Sequence, residues 1–337
     1  MSKPLAFLKP SDSVLTWTAE DQCLEARRES FSIPPRTLEN GCFLAYHGIS
    51  QSVHAGTYIL DHLLRNPPGN SSHLAPLMLY RHSLEIGDSI AKLLRLGSSS
   101  TASILIRRLF ETSLGLEFIL EKNTFHEDRA SCYQTFRQIE RYKNFTRYDP
   151  NTPEGKDFHR ILDDDKKLEA AAFPRKDLSK ERQILDETLN SPSFKLFWDK
   201  FKSVKRKPKH WYSLCSAAPD IRSLARLIGR ESEYVLLYKM LSESAHAADV
   251  FSGVVSVSKE KKLEVHILRG PVEKIKEATT LAANYLVSCH TLLLETYLKN
   301  HDIQKSFAHW YVEDYREVFM WAASPGPLFS EPTPTEL

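Results

Sequence analysis

The stretch IRSLARLIGRESEYVLLYKMLSESAHAAD, residues 221–249, decides the fold of this chain. Its apolar residues recur at helical spacing, and Gly229 divides it into a short helix and a longer one. The longer helix carries four polar side chains at successive four-residue steps: Tyr234, Tyr238, Ser242 and His246. Because residues four apart on a helix are neighbours, these side chains follow one broad face. The stretch therefore predicts a helical protein with an internal polar stripe.

A second stretch, RRLFETSLGLEFILEK at residues 107–122, places charge in an otherwise apolar helix and is the expected packing partner of the first. Arg108 and Glu111 are three apart and share a face, whereas Arg107 falls on another face. If Arg108 and Glu111 point inward they must be paired, because an unpaired buried charge is strongly destabilising. The preceding helix offers three charged partners: Arg81, Glu85 and Asp88.

Helical periodicity with short connections continues along the chain and predicts an all-α bundle of about nine helices. Two β-branched runs around a polar segment predict one small β-hairpin near residues 254–268. We expect four segments: an irregular arm over 1–35, one helical core domain over 36–300, an aromatic C-terminal helix over 301–323, and a disordered Pro-rich tail over 324–337.

The composition is that of an ordinary globular protein, with 42% hydrophobic and 26% charged residues. A net charge of +2 creates no global field toward nucleic acid or anionic membranes, so any such binding must come from a local patch. No stretch approaches the roughly 20 apolar residues of a membrane-spanning helix, and the N-terminus lacks the apolar segment of a secretory signal. The five cysteines are widely spaced and form no CxxC pair, which indicates neither a zinc ribbon nor a disulfide framework. We expect a reduced, cytoplasmic protein.

His246 and Tyr238 are the candidates for acid–base chemistry, because an unperturbed imidazole titrates near neutral pH. Tyr234 and Ser242 complete the stripe as candidates for ligand binding. The alternative is that the tyrosines pack with their hydroxyls at the rim of a core and that His246 caps the helix end. The residue types alone leave both interpretations open.

Arg108 and Glu111 also have two interpretations. In the first they form a buried ion network with Arg81 and Glu85 that fixes the register of the helices. In the second, carboxylates hold Arg108 toward an anionic ligand such as phosphate. The two interpretations differ in whether the arginine faces a ligand.

A metal site is a weaker alternative. Glu243 and His246 are three apart, as in the Glu-x-x-His pairs of di-iron helical bundles, and Glu85 and Glu111 are candidates for further ligands. The second pair that such a site needs is missing, since His82 and Glu85 occur in the reverse order. We therefore expect no metal ion and no other cofactor.

The basic run KSVKRKPKH at residues 202–210 precedes Trp211 and Tyr212. Basic residues beside aromatic ones can hold a nucleic-acid backbone and stack a base, which makes Trp211 a candidate for binding RNA. The alternative is a solvated helix end. No GxGxxG, P-loop, GxSxG or HExxH motif occurs, which removes the commonest nucleotide-binding, hydrolase and zinc-protease interpretations.

The stretches at 107–120, 210–229 and 234–246 resemble an uncharacterised bacterial all-helical domain family. The shared pattern is an Arg-x-x-x-Glu-like helix, a Trp-bearing loop and a Y-x-x-x-Y-x-x-x-S-x-x-x-H helix. The chain is also distantly similar to HEPN domains, which are helical bundles of toxins, phage-defence proteins and RNA-processing enzymes. That resemblance implies metal-independent RNA cleavage by a nearby Arg and His.

On that resemblance His246 is the expected base and Arg108 the expected phosphate partner, with Tyr238 and Glu111 orienting them. Lys239, rather than an arginine, stands upstream of His246, so the positive charge has to come from another helix. We expect a HEPN-like effector of a bacterial defence or toxin system that cleaves or binds RNA; if it is an enzyme, it is a metal-independent ribonuclease.

The alternative function is a non-catalytic helical module that binds a partner protein or a small anionic ligand. Its charged side chains would then be structural. A homodimer interface is expected on the aromatic residues of the last helix, namely Trp310, Tyr311, Tyr315 and Phe319. Neither function involves a membrane or recognition of a DNA sequence.

Overall fold

The computed structural model describes eight parts of the chain: residues 38–68, 73–121, 126–164, 175–238, 241, 255–257, 263–265 and 272–323. The arm and the tail predicted for the two ends, and the turn of the predicted hairpin, lie outside these residues. The fold is all-α, as the sequence predicts.

Thirteen α-helices lie within the described residues. Their bounds are α1 Leu38–Arg65, α2 Leu74–Arg95, α3 Ser99–Leu120, α4 His126–Tyr148, α5 Pro153–Asp164, α6 Ser179–Leu189, α7 Pro192–Ser203, α8 Tyr212–Cys215, α9 Ile221–Leu227, α10 Glu231–Glu233, α11 Val272–Tyr297, α12 Asp302–Trp310 and α13 Arg316–Ala323. π-Helical turns follow α10 and α12, over Tyr234–Tyr238 and Tyr311–Tyr315. The predicted count of about nine helices is wrong. Helices as short as α8 and α10 are too short to show the repeated spacing of apolar residues from which helices are predicted.

Two three-residue strands pair antiparallel, β1 at Val255–Val257 and β2 at Leu263–Val265. Ser256 lies opposite Glu264 in this register. No helix among the described residues is long and apolar enough to cross a membrane.

The chain divides into two compact units. Unit 1 comprises the described residues that fall within the ranges Met1–Asn70, Leu77–Leu120 and Arg230–Leu337. Unit 2 comprises Ser71–Pro76 and Glu121–Gly229.

Helix α11 is the centre of unit 1 and packs against α1 and α3. Its side chains Leu286 and Leu293 are fully buried, as is Ile106 of α3. Each such side chain stabilises the fold by about 1.5–3 kcal/mol relative to an exposed one. Unit 1 is therefore held by a conventional apolar helix-on-helix core.

A polar cluster lies inside that core. His290 of α11 is fully buried, with its Nε2 3.0 Å from the Ser52 hydroxyl and its Nδ1 2.7 Å from the Tyr80 hydroxyl. Burial lowers the pKa of His290 to about 3, so the imidazole is neutral at physiological pH. Gly56 makes room for the cluster, since a Cβ there would lie 2.6 Å from His290 Cε1 and 2.9 Å from the Tyr80 hydroxyl.

The C-terminal elements of unit 1 bury several aromatic side chains. Trp310 and Tyr315 are each 1% exposed and stack with their ring centroids 4.7 Å apart. Trp321 of α13 packs against Leu44 of α1. The interface predicted on Trp310 and Tyr315 is therefore wrong for these two residues, because both are used inside unit 1.

Helix α4 is the centre of unit 2 and contacts α5, α6, α7 and α8. The core of this unit is a cluster of eight buried residues: Cys132, Phe136, Ile139, Leu189, Phe197, Trp198, Phe201 and Leu214. One charge is buried as well, because Asp149 is 0% exposed and accepts a hydrogen bond of 2.8 Å from Arg182. Helix α9 begins at an Asp220 cap, whose carboxylate accepts from the Ser223 amide at 2.8 Å.

Candidate functional site

The candidate site in unit 1 is built on α3 and on the π-helical turn Tyr234–Tyr238. A π-helical turn is wider than an α-helical one, so side chains four apart come nearly into line, and such turns recur at functional sites. The rings of Tyr234 and Tyr238 accordingly stack with centroids 4.5 Å apart and planes 21° apart. The turn therefore presents two parallel phenol rings.

The Tyr238 hydroxyl lies between two charged side chains of α3. Arg107 donates to it from Nη2 at 2.5 Å, and it donates to Glu111 Oε1 at 2.9 Å. Arg107 and Glu111 also contact each other directly, with Nε 3.4 Å from Oε1. The Arg107 guanidinium carbon lies 4.4 Å from the centroid of the Tyr238 ring, within the range of a cation–π contact. These three residues form a closed polar network.

The phenol of Tyr238 is held neutral. Burial and the charge of Glu111 raise the pKa of Tyr238, and they outweigh the opposite effect of Arg107. A neutral phenol is both a donor and an acceptor, which is how Tyr238 bonds to a cation and an anion at once.

Glu111 also holds Arg108 through its second oxygen. Arg108 Nη1 donates to Glu111 Oε2 at 3.1 Å. The two arginines differ in exposure, since the side chain of Arg107 is 20% exposed and that of Arg108 is 60% exposed. Glu111 thus fixes one arginine inside the network and orients the other toward solvent.

A second network lies on the same two segments. Arg230 Nη1 donates to Glu117 at 2.9 Å and to the Ser113 hydroxyl at 3.3 Å, and its Nε donates to Glu233 at 3.1 Å. Burial alone would lower the pKa of Arg230, but its bond to Glu233 and the charge of Glu117 raise it instead. This arginine is therefore a fixed cation with two carboxylate partners.

Two aromatic rings flank Arg230. Its guanidinium carbon lies 5.3 Å from the ring centroid of Phe110 and 5.7 Å from that of Tyr285. The Tyr285 hydroxyl is buried and has no hydrogen-bond partner within the described parts of the chain. The network therefore adjoins one unsatisfied polar atom.

The predicted site residues divide into four groups. Tyr234, Tyr238, Arg108 and Glu111 come together in unit 1. Ser242, Glu243 and His246 lie outside the described residues. Arg81 and Glu85 pair with each other on α2, at 3.2 Å and with more than half of each side chain exposed, instead of pairing with Arg108.

Trp211, the remaining predicted residue, belongs to unit 2. Its ring meets that of Tyr133 edge-on at 5.1 Å, and its carbonyl accepts a hydrogen bond from Cys132. In the adjacent basic run, Lys207 donates to the carbonyls of Phe201 and Lys202 at 2.8 and 2.9 Å and so caps α7. For Lys207 the interpretation as a helix end is the one that the geometry supports.

Arg107 is the residue that sequence reasoning missed. From the sequence, Arg108 and not Arg107 is a candidate for the site, whereas Arg107 makes the contact with Tyr238. Its spacing from Glu111, four residues, was the available signal, because i and i+4 are paired on a helix surface. The contact from Arg230 to Glu117 spans 113 residues and has no local signal.

No group of three or more His, Cys, Asp or Glu side chains within the described ranges is arranged to hold a metal ion. The predicted alternative with Glu243 and His246 cannot be placed, because these two residues lie outside those ranges. Glu85 and Glu111 each bind arginine instead.

A profile of the family described as "Family of unknown function (DUF5677)" matches residues 73–262. This span contains both networks on α3 and on residues 230–238. No curated protein and no solved structure matches the chain.

Proposed function

The chain belongs to DUF5677, a family of unknown function, and we propose that it is a HEPN-like effector that binds RNA at Arg108 and cleaves it without a metal ion. The proposal extends to a role in a bacterial defence or toxin system. The observation that carries it is that one carboxylate, Glu111, orients both the exposed Arg108 and the half-buried Tyr238.

Arg108 has the properties of a phosphate ligand. Its guanidinium offers five donors in a planar fork, of which Glu111 fixes one nitrogen while 60% of the side chain stays exposed. Fixing the side chain in advance reduces the entropy that it would lose on binding. A phosphodiester oxygen can therefore replace water at Arg108 without dismantling the network.

His246 is the proposed base and follows Tyr238 by eight positions in the sequence. It would take the proton of the ribose 2′-hydroxyl, whose oxygen then attacks the adjacent phosphorus. The 5′-oxygen leaves and a 2′,3′-cyclic phosphate forms. Arg108 would stabilise the negative charge that develops on the phosphate oxygens in the transition state. Such electrostatic stabilisation is usually the largest single contribution to catalysis. Tyr238 and Glu111 orient Arg108 and the substrate.

The test uses single-stranded and structured RNA in EDTA, with four proteins: wild type, His246→Ala, Arg108→Gln and Arg65→Gln. Arg65 is the matched control, because it is 76% exposed and paired to Asp61 on α1 of the same unit. We expect cyclic-phosphate products from the wild type, none from His246→Ala, and about 100-fold slower cleavage by Arg108→Gln. Arg65→Gln should cleave like the wild type. Cleavage that persists at the wild-type rate in His246→Ala would contradict the proposal.

A non-catalytic binding module is the second candidate, and one observation favours it. Every charge of the network has a partner, since Glu111 contacts Arg107, Arg108 and Tyr238 at once. A network so complete also suits a purely structural role. RNA binding without cleavage would support this candidate. Replacing Arg108 should then remove one phosphate contact. The slope of log K against the logarithm of the salt concentration should therefore become less steep by about 1.

A further inference from the structure

The loop between α7 and α8 concentrates positive charge. This basic loop, residues 204–211, has the sequence VKRKPKHW, with four lysine or arginine residues and no acidic one. The whole chain, by contrast, has a net charge of only +2. Like charges repel one another, so a bound polyanion would stabilise the loop. The loop belongs to unit 2, and the chemistry proposed for unit 1 does not use it.

Three of the four cations are not engaged by the protein. Lys207 is the exception, because its Nζ donates to two backbone carbonyls at the end of α7 and so serves the fold. Lys205, Arg206 and Lys209 are exposed, and their side chains form no ion pair with any residue that the structure describes. A cation without a carboxylate partner keeps its charge for an external anion. The basic loop therefore offers three charges to a ligand.

An aromatic ring stands beside these charges. The imidazole of His210 lies on the ring of Tyr212, with centroids 5.2 Å apart and planes only 6° apart. Tyr212 is 5% exposed and is fixed by the packing around it, whereas His210 is exposed. A ring held flat on one side can stack a nucleobase on the other. Cations beside such a ring are the two elements from which single-strand binding sites are built.

An anionic membrane surface is the competing polyanion. A segment that enters the headgroup region carries bulky apolar or indole side chains that stand out among its cations. In the basic loop Trp211 packs instead edge-on against Tyr133, at 5.1 Å between ring centroids. Val204, 37% exposed, is the exposed aliphatic side chain that remains. The loop therefore suits a nucleic acid better than a membrane.

We propose that the basic loop binds the phosphate backbone of a single-stranded nucleic acid. Lys205, Arg206 and Lys209 contact phosphates, and His210 stacks on a base. A single strand fits because the bases of a duplex are stacked on one another and leave no free face. This inference does not rest on the proposed function, since it concerns unit 2 alone and the binding needs neither Arg108 nor His246.

The test measures the affinity of the full-length protein for two fluorescent oligomers of about 12 nucleotides, a length typical of single-strand sites. A 2′-O-methyl oligouridine represents RNA and cannot be cleaved through its 2′-oxygen, so a failure of the proposed ribonuclease leaves this measurement intact. An oligodeoxythymidine represents single-stranded DNA, and the ratio of the two affinities identifies which strand the loop prefers. Vesicles rich in phosphatidylserine test the membrane alternative.

The decisive variant is Lys205→Gln/Arg206→Gln/Lys209→Gln, which removes the three unpaired charges. We expect it to bind about 100-fold more weakly at about 0.1 M salt. The slope of log K against the logarithm of the salt concentration should become less steep by about 2, because each phosphate contact of a single strand contributes about 0.7. A matched control removes three charges of unit 2 that are exposed but held by carboxylates: Lys143→Gln, Arg160→Gln and Lys176→Gln.

The control should bind like the wild type, although it loses the same net charge. His210→Ala should weaken binding about 5- to 100-fold and leave the salt slope unchanged, because stacking releases no counterions. An unchanged affinity of His210→Ala would overturn the stacking at that ring. Binding by the decisive variant as tight as by the control would overturn the whole proposal, as would a wild type that binds neither oligomer or binds the vesicles alone.

Discussion

The hydroxyl of Tyr238 donates a hydrogen bond of 2.9 Å to Glu111, a residue 127 positions earlier in the chain. Arg107 donates to the same hydroxyl at 2.5 Å, so one phenol links a cation and an anion of α3 to the π-helical turn. Hydrogen bonds to charged groups contribute more stability than neutral ones. The bond therefore stabilises the packing of these two segments as well as the geometry of the candidate site.

Replacing this hydroxyl should destabilise unit 1. Tyr238→Phe leaves the ring and its stack on Tyr234 in place but removes both bonds to charged groups. We expect the free energy of unfolding to fall by about 1.5–3 kcal/mol in urea denaturation. Tyr234→Phe is the matched control and should change it by less than about 0.5 kcal/mol. Equal losses in the two variants would show that the bonds contribute nothing specific.

The two neighbouring arginines should differ in their effect on stability. Arg107→Gln removes a side chain that is 20% exposed and bonded to Tyr238, whereas Arg108→Gln removes one that is 60% exposed. We expect a loss of about 1–3 kcal/mol for Arg107→Gln and of at most about 1 kcal/mol for Arg108→Gln, from thermal or urea unfolding. The reverse order would mean that Arg108, and not Arg107, holds the network together.

His290 should make unit 1 sensitive to acid. Its pKa is lowered to about 3 in the fold, against 6.5 for an ordinary imidazole. Below pH 6.5 the imidazole of the unfolded chain takes up a proton, whereas that of the folded chain stays neutral until the pH approaches 3. The free energy of unfolding is therefore unaffected by this group above pH 6.5 and falls progressively between pH 6.5 and pH 3. The loss should reach about 2 kcal/mol by pH 5.

The variant His290→Gln isolates this effect, because an amide can still bond to Ser52 and Tyr80 but does not titrate. The difference in unfolding free energy between wild type and variant should shrink as the pH falls from 7 to 5. A constant difference over that range would exclude His290 as the source of the acid sensitivity.

Gly56 should tolerate no side chain. An added Cβ would lie 2.4 Å from Leu84 Cδ2 and within 3 Å of both His290 and Tyr80. The clash should outweigh the better helix propensity of alanine and lower stability by about 1–3 kcal/mol, with a lower Tm by circular dichroism. Gly87→Ala is the control, since its Cβ would meet only methyl groups at 3.0–3.1 Å and should cost less. A Tm for Gly56→Ala at or above that of Gly87→Ala would contradict this prediction.

In unit 2 the ion pair of Arg182 and Asp149 should contribute more to the free energy of unfolding than a surface ion pair does. Asp149 is 0% exposed, so Arg182→Met would leave a buried carboxylate without its cation, at a cost of about 3–5 kcal/mol. Arg160→Met breaks a pair with Asp157 in which both side chains are more than half exposed, and it should cost less than about 1 kcal/mol. Chemical denaturation measures the loss of unfolding free energy in each variant. A loss for Arg182→Met no larger than that for Arg160→Met would show that the pair of Arg182 and Asp149 contributes no more than a surface ion pair.

The sequence alone determined the class of fold and part of the site. Apolar spacing predicts helices because burial of one face is what stabilises a helix in water, and α3 and α11 follow that spacing. The same reasoning identified Tyr238 and Glu111 as candidates. A carboxylate in an apolar helix and a line of phenols on one helix face both need hydrogen-bond or ion-pair partners.

Only the tertiary structure decided which arginine makes the contact. Arg107 and Arg108 are adjacent in sequence, and the rotation of α3 against its neighbours selects between them, which no local pattern records. No local pattern predicts the π-helical turn at Tyr234–Tyr238 either. The same holds for the contact of Arg230 with Glu117, which lies 113 residues away in the sequence. Contacts between distant residues depend on how whole elements pack, and the sequence specifies that packing only through the sum of many weak interactions.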